Sequence, residues 1–355
     1  MSESDKPSSL SLGKKITFTV IVVVGLLAIG EVAARFLVKL PVAPDGSQSH
    51  REHEQLIQVM GLPGLNATME FDPDRFWRLR QELRDLRIAG TIRDQKIEFT
   101  VNTHGGLRNA LIDPVKSKPR ILALGDSCTF GLGVNDDKTW PVQLQSLLDA
   151  KGLDAEVING GVPGYTSYQG LRFLETQGLK MKPDIVVVCF GFNDSDTWAS
   201  TSDLKMAENQ SLRSMDRTLA NSRLYYAFQK LLRGGGTRPN QQKEKRPRLT
   251  PEEYVGMLGG IHQRCIDAGA TMVLVTWPYR KQIQEKSDEP WGYQGPTLWF
   301  SQQYRVPCAR LVKPFGESKE KVFVDHVHAS DEGCRVAAET ISTQVIPLLK
   351  KTDEK

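Results

Sequence analysis

The stretch "ILALGDSCTFGLG", residues 121–133, decides how the rest of the chain is read. Its apolar run, Ile121 to Leu124, breaks into Gly125-Asp126-Ser127 and then into small residues and glycine. An apolar run without polar alternation fits a strand buried on both faces of a sheet. A strand that ends on a small residue and turns at once can hold a hydroxyl at the rim of the sheet, where a nucleophile is reachable.

The same strand pattern recurs. "RILALG" (120–125), "AEVIN" (155–159), "DIVVVCF" (184–190), "TMVLVTW" (271–277) and "VFVD" (322–325) are short, apolar and rich in Val and Ile. Helical patterns lie between and beyond them. "TWPVQLQSLLDAKG" (139–152) sets Trp140, Leu144, Leu147 and Leu148 on one stripe, between a Thr139 cap and a terminating Gly152. "TPEEYVGMLGGIHQRCIDAG" (250–269) and "SDEGCRVAAETISTQVIPLLK" (330–350) behave alike. This alternation predicts a doubly wound α/β domain: a central parallel sheet of about five strands with helices on both faces.

Around that domain, residues 1–13 read as disordered. "KKITFTVIVVVGLLAIGEVAARFLVKL" (14–40) begins with two lysines and carries no charge from Ile16 to Gly30. A spanning helix needs roughly 20 residues, so this stretch crosses a bilayer only if Glu31 and Arg35 lie near the far interface. It is expected to be a transmembrane anchor; the alternative is a signal peptide cleaved after Val32-x-Ala34. Residues 41–118 form a lead-in that packs on the main domain. Within it, "DPDRFWRLRQELRDLRI" (72–88) has apolar residues at helical spacing. "KIEFTVNTHGGLRN" (96–109) alternates and then reaches a glycine turn. Residues 197–249 interrupt the main domain with a helical segment near "SRLYYAFQKLL" (222–232) and a glycine-, proline- and charge-rich loop (233–248).

Charged residues make up 25% and hydrophobic residues 39%, so a large globular core is available. The net charge of +4 is too mild to imply nucleic acid, and the run "KEKRPR" (243–248) reads as a solvated loop. The five cysteines, Cys128, Cys189, Cys265, Cys308 and Cys334, include no CxxC pair, so neither zinc nor a disulfide framework is supported. No GxGxxG or P-loop follows a strand, and no metal or cofactor is expected.

In open α/β sheets ligands bind beyond the carboxyl ends of the strands. The successive strand ends carry Gly125-Asp126-Ser127, then "NGGVPGYTS" with Asn159, Gly160, Gly161 and Gly164, then "GFND" with Asn193 and Asp194, and finally "DHVH" with Asp325, His326 and His328. Each alone is a common turn or cap. Together they supply a nucleophile, a base with its orienting carboxylate, and donors for an oxyanion.

These four blocks resemble those of the SGNH, or GDSL-type, esterases and lipases, over residues 119–350, about two-thirds of the chain. The resemblance implies a flavodoxin-like three-layer sandwich. It implies Ser127 as nucleophile, Asp325 and His328 as its partners, and an oxyanion hole made by the Ser127 and Gly161 amides and the Asn193 side chain. Gly160 is an alternative to Gly161, and Cys128 an alternative nucleophile beside Ser127. His328 is favoured over His326 because positions three apart meet where a chain turns into a helix, whereas neighbours point apart.

The expectation is therefore a serine ester hydrolase working through an acyl-enzyme on an O-acyl ester, with acylated carbohydrate among the candidate substrates. It would be a single-pass membrane protein whose catalytic domain is extracytoplasmic, either periplasmic or extracellular. An O-acyltransferase using the same site on a surface polysaccharide is the first alternative. A non-catalytic binding module is the second. The "WPYRKQIQEKSDEPWGYQGPTLWF" segment (277–300) reads first as loop packing and second as an aromatic rim for sugar or acyl groups.

Overall fold

The computed structural model describes residues 11–37, 62–72, 74–92, 95–108, 112–197, 202–211, 222–232 and 246–353. The chain forms two compact units, Met1–Ser47 with Leu212–Gln242, and Gln48–Ser211 with Lys243–Lys355.

In the first unit, α1 (Leu12–Leu37) is a helix of 26 residues, long and apolar enough to cross a membrane by length and composition. A helix over Arg223–Leu232 belongs to the same unit.

The second unit opens with two small antiparallel sheets. Strands β1 (Met69–Asp72) and β2 (Phe76–Leu79) form one; β3 (Glu82–Ile92), β4 (Gln95–His104) and β5 (Leu107–Arg108) form the other. The helical spacing over 72–88 is thus misleading. Phe76 and Asp85 both take positive φ, and a register shift between Leu83 and Leu86 breaks the two-residue alternation that marks a strand. The apolar side chains of these sheets, among them Trp77, Ile88, Phe99 and Val101, join one continuous core with Leu122 and Leu124 of the main sheet.

The main sheet has five strands, all parallel: β6 (Arg120–Gly125), β7 (Glu156–Gly161), β8 (Ile185–Cys189), β9 (Thr271–Thr276) and β10 (Cys308–Arg310), in spatial order β10-β9-β8-β6-β7. Alternate residues of β6 serve opposite faces. Leu122 and Leu124 join the core that holds Phe173, Leu258 and Phe300, whereas Ile121 and Ala123 join the one that holds Trp140, Leu144 and Ile341. Helices Trp140–Ala150 and Asp331–Asp353 pack on one face, and Ser167–Thr176, Pro251–Asp267 and Gln294–Tyr304 on the other. That is the three-layer α/β sandwich expected from the sequence.

The fifth strand is not the expected one. "VFVD" (322–325) makes only an isolated bridge, Phe323 to Ala329, and the edge strand is instead Cys308–Arg310. Val322 and Phe323 are apolar because they cover the core beneath the last helix, not because they lie in the sheet.

Candidate active site

The site is built where β6 ends. Gly125 stands level with Gly161 on one neighbouring strand and with Cys189 on the other. A Cβ at Gly125 would lie 2.1 Å from Thr129 Oγ1 and 2.7 Å from the Cys189 carbonyl oxygen. A Cβ at Gly161 would lie 2.1 Å from the Phe130 amide nitrogen. Both positions must be glycine so that the short helix α2 (Ser127–Phe130) can sit directly on the strand ends. Asp126 caps that helix, its Oδ1 accepting from the Cys128 amide at 2.8 Å. Ser127, the first residue of the helix, is thereby held at the carboxyl edge of the sheet.

The loop around Asp325 brings a histidine to that serine. Asp325 Oδ1 accepts from the amides of Val327 at 2.8 Å and His328 at 2.7 Å, which winds the chain into a turn. The turn sets His328 Nδ1 at 2.6 Å from Asp325 Oδ2 and His328 Nε2 at 2.8 Å from Ser127 Oγ. Burial would raise the Asp325 pKa, but the His328 ring and the two amides outweigh it and hold the carboxyl well below the usual range. An ionised carboxylate only accepts hydrogen bonds, so Nδ1 carries the proton and Nε2 accepts from the serine hydroxyl. His326 Nδ1 is 3.6 Å from Asp325 Oδ1, beyond hydrogen-bond length, and its ring lies 5.5 Å from that of Phe192.

Cys128 is buried against the Val327 carbonyl, and desolvation drives its thiol well above its ordinary pKa. A thiol that resists ionisation is a poor nucleophile.

Asn193 faces Ser127's turn. Its Nδ2 donates to Tyr165 O at 3.0 Å and to Asp126 Oδ2 at 3.2 Å. The Gly161 amide, expected as an oxyanion donor, is already engaged: it donates to Asn159 Oδ1 at 3.0 Å. Gly160 packs against the Ala123 carbonyl and Leu122. Gly164, with φ +78°, turns the same loop. Its amide has no acceptor among the described residues.

Two buried arginines brace these loops, and the sequence reading missed both. Arg108 donates to the carbonyls of Phe130 and Gly131 at 2.6 Å, to that of Val134 at 2.7 Å, and to Asp136 Oδ1 at 2.7 Å. It therefore sits at the carboxyl end of α2, where a cation is favoured. Arg248, the last residue of the run read as a solvated loop, is almost wholly buried. It pairs with Asp203 at 2.9 Å, donates to Gln169 Oε1 at 2.9 Å, and donates to the Gly164 carbonyl at 2.6 Å. No local pattern marks it, because its carboxylate partner lies 45 residues away in sequence. Asp194 works beside it, taking the Ser167 amide at 2.9 Å and the Gly191 amide at 3.0 Å. Burial pushes its carboxyl up to about 7.

The aromatic segment after β9 divides. Trp277, Tyr293 and Phe300 are buried packing residues, and Trp277 Nε1 donates to the Val327 carbonyl at 2.8 Å. Tyr279 and Trp291 are half-buried and continue from Phe192 as a row of ring contacts 5.7 and 6.0 Å apart. Among the described residues no cluster of His, Cys, Asp or Glu is arranged to hold a metal ion.

Residues 123–336, more than half of the chain, match the model of the GDSL-like lipase/acylhydrolase family. The chain belongs to that family. The relatives it resembles in sequence include an arylesterase of Vibrio mimicus, 35% identical over 79 residues, which is 22% of this chain and 40% of that protein. Esterase TesA of Pseudomonas aeruginosa is 33% identical over 90 residues, 25% of this chain and 45% of its own length. The chain thus spans less than half the length of either relative. Among solved structures, the crystal structure of TesA covers 64% of this GDSL chain and 99% of its own, with 19% identity and a TM-score of 0.44.

Proposed function

We propose that the protein is a serine ester hydrolase that works through an acyl-enzyme. The observation that carries this reading is the continuous relay from Ser127 Oγ through His328 to Asp325, at 2.8 and 2.6 Å. His328 Nε2 takes the hydroxyl proton as Ser127 Oγ attacks the ester carbonyl carbon. The imidazolium, steadied by the ionised Asp325, then passes that proton to the departing alkoxide, leaving an acyl-serine and an alcohol. Water repeats the sequence: it loses a proton to His328 and attacks the acyl carbon, and Ser127 leaves with its proton restored.

The charge that develops on the carbonyl oxygen needs donors fixed in advance. The Ser127 amide, at the start of α2, is one. Asn193 Nδ2 is a second, giving up its longer bond to Asp126. Gly164 is proposed as the third in place of Gly161, whose amide would first have to break from Asn159. The half-buried row Phe192, Tyr279 and Trp291 supports an acyl group or a sugar ring as a flanking part of the substrate. An uncharged run preceded by Lys14 and Lys15 supports α1 as a membrane anchor with the catalytic unit outside the cytoplasm.

Labelling the full chain with a fluorophosphonate tests the central claim. The parent should become covalently modified at Ser127 and Ser127→Ala should not. Labelling that persists in Ser127→Ala would move the nucleophile elsewhere, and absence of labelling in the parent would favour a binding module.

A further inference from the structure

The charged residue in the apolar N-terminal stretch has a partner. The Glu31 carboxylate accepts from Ser222 Oγ at 2.7 Å, from the Leu224 amide at 3.1 Å and from the Arg223 amide at 3.2 Å. It therefore caps the helix Arg223–Leu232 of the insertion. Arg35 adds a salt bridge to Glu31 at 3.3 Å, and the Arg223 guanidinium donates to the Arg35 carbonyl. One residue before the cap, Gly30 lets Leu224 approach so closely that a Cβ there would lie 3.0 Å from Leu224 Cδ2. The insertion helix is keyed to one level of α1.

That level is set by the uncharged run. Ile16 to Gly30 is fifteen residues. At 1.5 Å per residue it spans roughly 22 Å, less than the roughly 30 Å of a hydrocarbon core. Glu31 therefore lies close to the boundary between acyl chains and headgroups, where an unpaired carboxylate is costly. The start of the insertion helix supplies the donors that satisfy it, which places this helix at the same boundary. Phe228, one turn along, is 54% exposed. The sequence "RLYYAFQKLL" combines Tyr, Phe and Leu with Arg and Lys, the composition of a helix lying in an interface.

We propose that the helix Arg223–Leu232 is a second, interfacial membrane contact, held to the anchor by Glu31, with the lipid surface as its partner. The proposal rests on α1 being a membrane anchor. It gives the insertion a task, to seat a helix flat on the bilayer beside the point where the chain leaves it. It also makes α1 a lasting structural partner and not a segment to be removed.

The test uses the full chain in vesicles of phosphatidylcholine and phosphatidylglycerol, with Phe228→Cys carrying a nitroxide. The native cysteines are buried, apart from the half-buried Cys308, and the parent labelled in parallel supplies the background. Fluorophosphonate labelling confirms that the variant is folded. The nitroxide at 228 should collide more with oxygen and less with a water-soluble nickel chelate than one at an aqueous surface position. Adding Glu31→Ala should shift it toward the aqueous values while the protein stays in the carbonate-washed membrane. Aqueous accessibility at 228 in a chain that resists carbonate would overturn the proposal and leave the anchor intact. Release by carbonate would overturn both. Dipolar broadening between labels on separate molecules would assign the face to a second copy of the chain and overturn the lipid surface as partner. A depth unchanged by Glu31→Ala would remove the lock.

Discussion

Arg248 donates to the carbonyl oxygen of Gly164 at 2.6 Å while its other nitrogens hold Asp203 and Gln169. One buried side chain thus fixes the loop after β7 and ties Arg248, near the end of the insertion, to Asp203, near its start. Removing one member of a buried ion pair strands the other. Arg248→Ala should therefore lower unfolding stability by about 3–5 kcal/mol, read from the urea midpoint of the full chain in detergent. Arg248→Lys keeps a charge but loses the planar fork, and should recover only part of that loss. A cost below about 1 kcal/mol for the alanine would mean that the network can reorganise around Asp203.

The two histidines of "DHVH" should separate cleanly. His328→Ala removes the group bonded to Ser127 Oγ and should cost as much activity on a short aryl ester as Ser127→Ala, because members of one catalytic unit are not additive. Asp325→Ala should cost somewhat less. His326→Ala should stay within about tenfold of the parent, roughly 1.4 kcal/mol in barrier height. Loss of activity in His326→Ala with His328→Ala spared would reverse the assignment.

What could be read in the sequence depended on how local each signal was. Four of the five parallel strands were visible because burial on both faces makes them near-continuous apolar runs. Cys308–Arg310 was not, since three residues with an arginine carry no such signal. The serine, Asn193 and the Asp325–His328 pair could be named because each follows a strand or turn with its own composition. The braces could not. Arg108 looks like the end of a glycine turn and Arg248 like the end of a charge run, and both are defined by partners distant in sequence. The Gly161 amide is engaged by the Asn159 side chain two residues back, a local bond the run of glycines does not announce, and this is why the proposal turns to Gly164.

Asn193 offers the oxyanion prediction. Its Nδ2 already lies 3.0 Å from the Tyr165 carbonyl, which fixes the amide plane beside Ser127's turn. Asn193→Ala should lower kcat roughly 10²- to 10³-fold with KM little changed, since the donor acts on charge present only in the transition state. Steady-state kinetics on an aryl ester checks this. A loss confined to KM would make Asn193 a substrate-binding residue.

Asp194 predicts how stability varies with pH. Burial raises its pKa to about 7 against an unfolded value near 3.8, despite the hydrogen bonds from Ser167 and the charge of Arg248. Between those values the native state holds a proton that the unfolded chain lacks, so this group's contribution falls as pH rises from about 4 to about 7. Asp126 is raised in the same sense, to about 6, and Asp325 is lowered in the opposite sense. Both titrate alike in parent and variant, so a comparison with Asp194→Asn isolates the one group. The asparagine does not titrate, and its NH₂ would face the amide donors, so the variant should be less stable throughout. The gap in melting temperature between parent and variant should be wider at pH 5 than at pH 8. A gap that widens toward pH 8 would show instead that Asp194 is ionised in the native protein, its charge held by Ser167, Gly191 and Arg248.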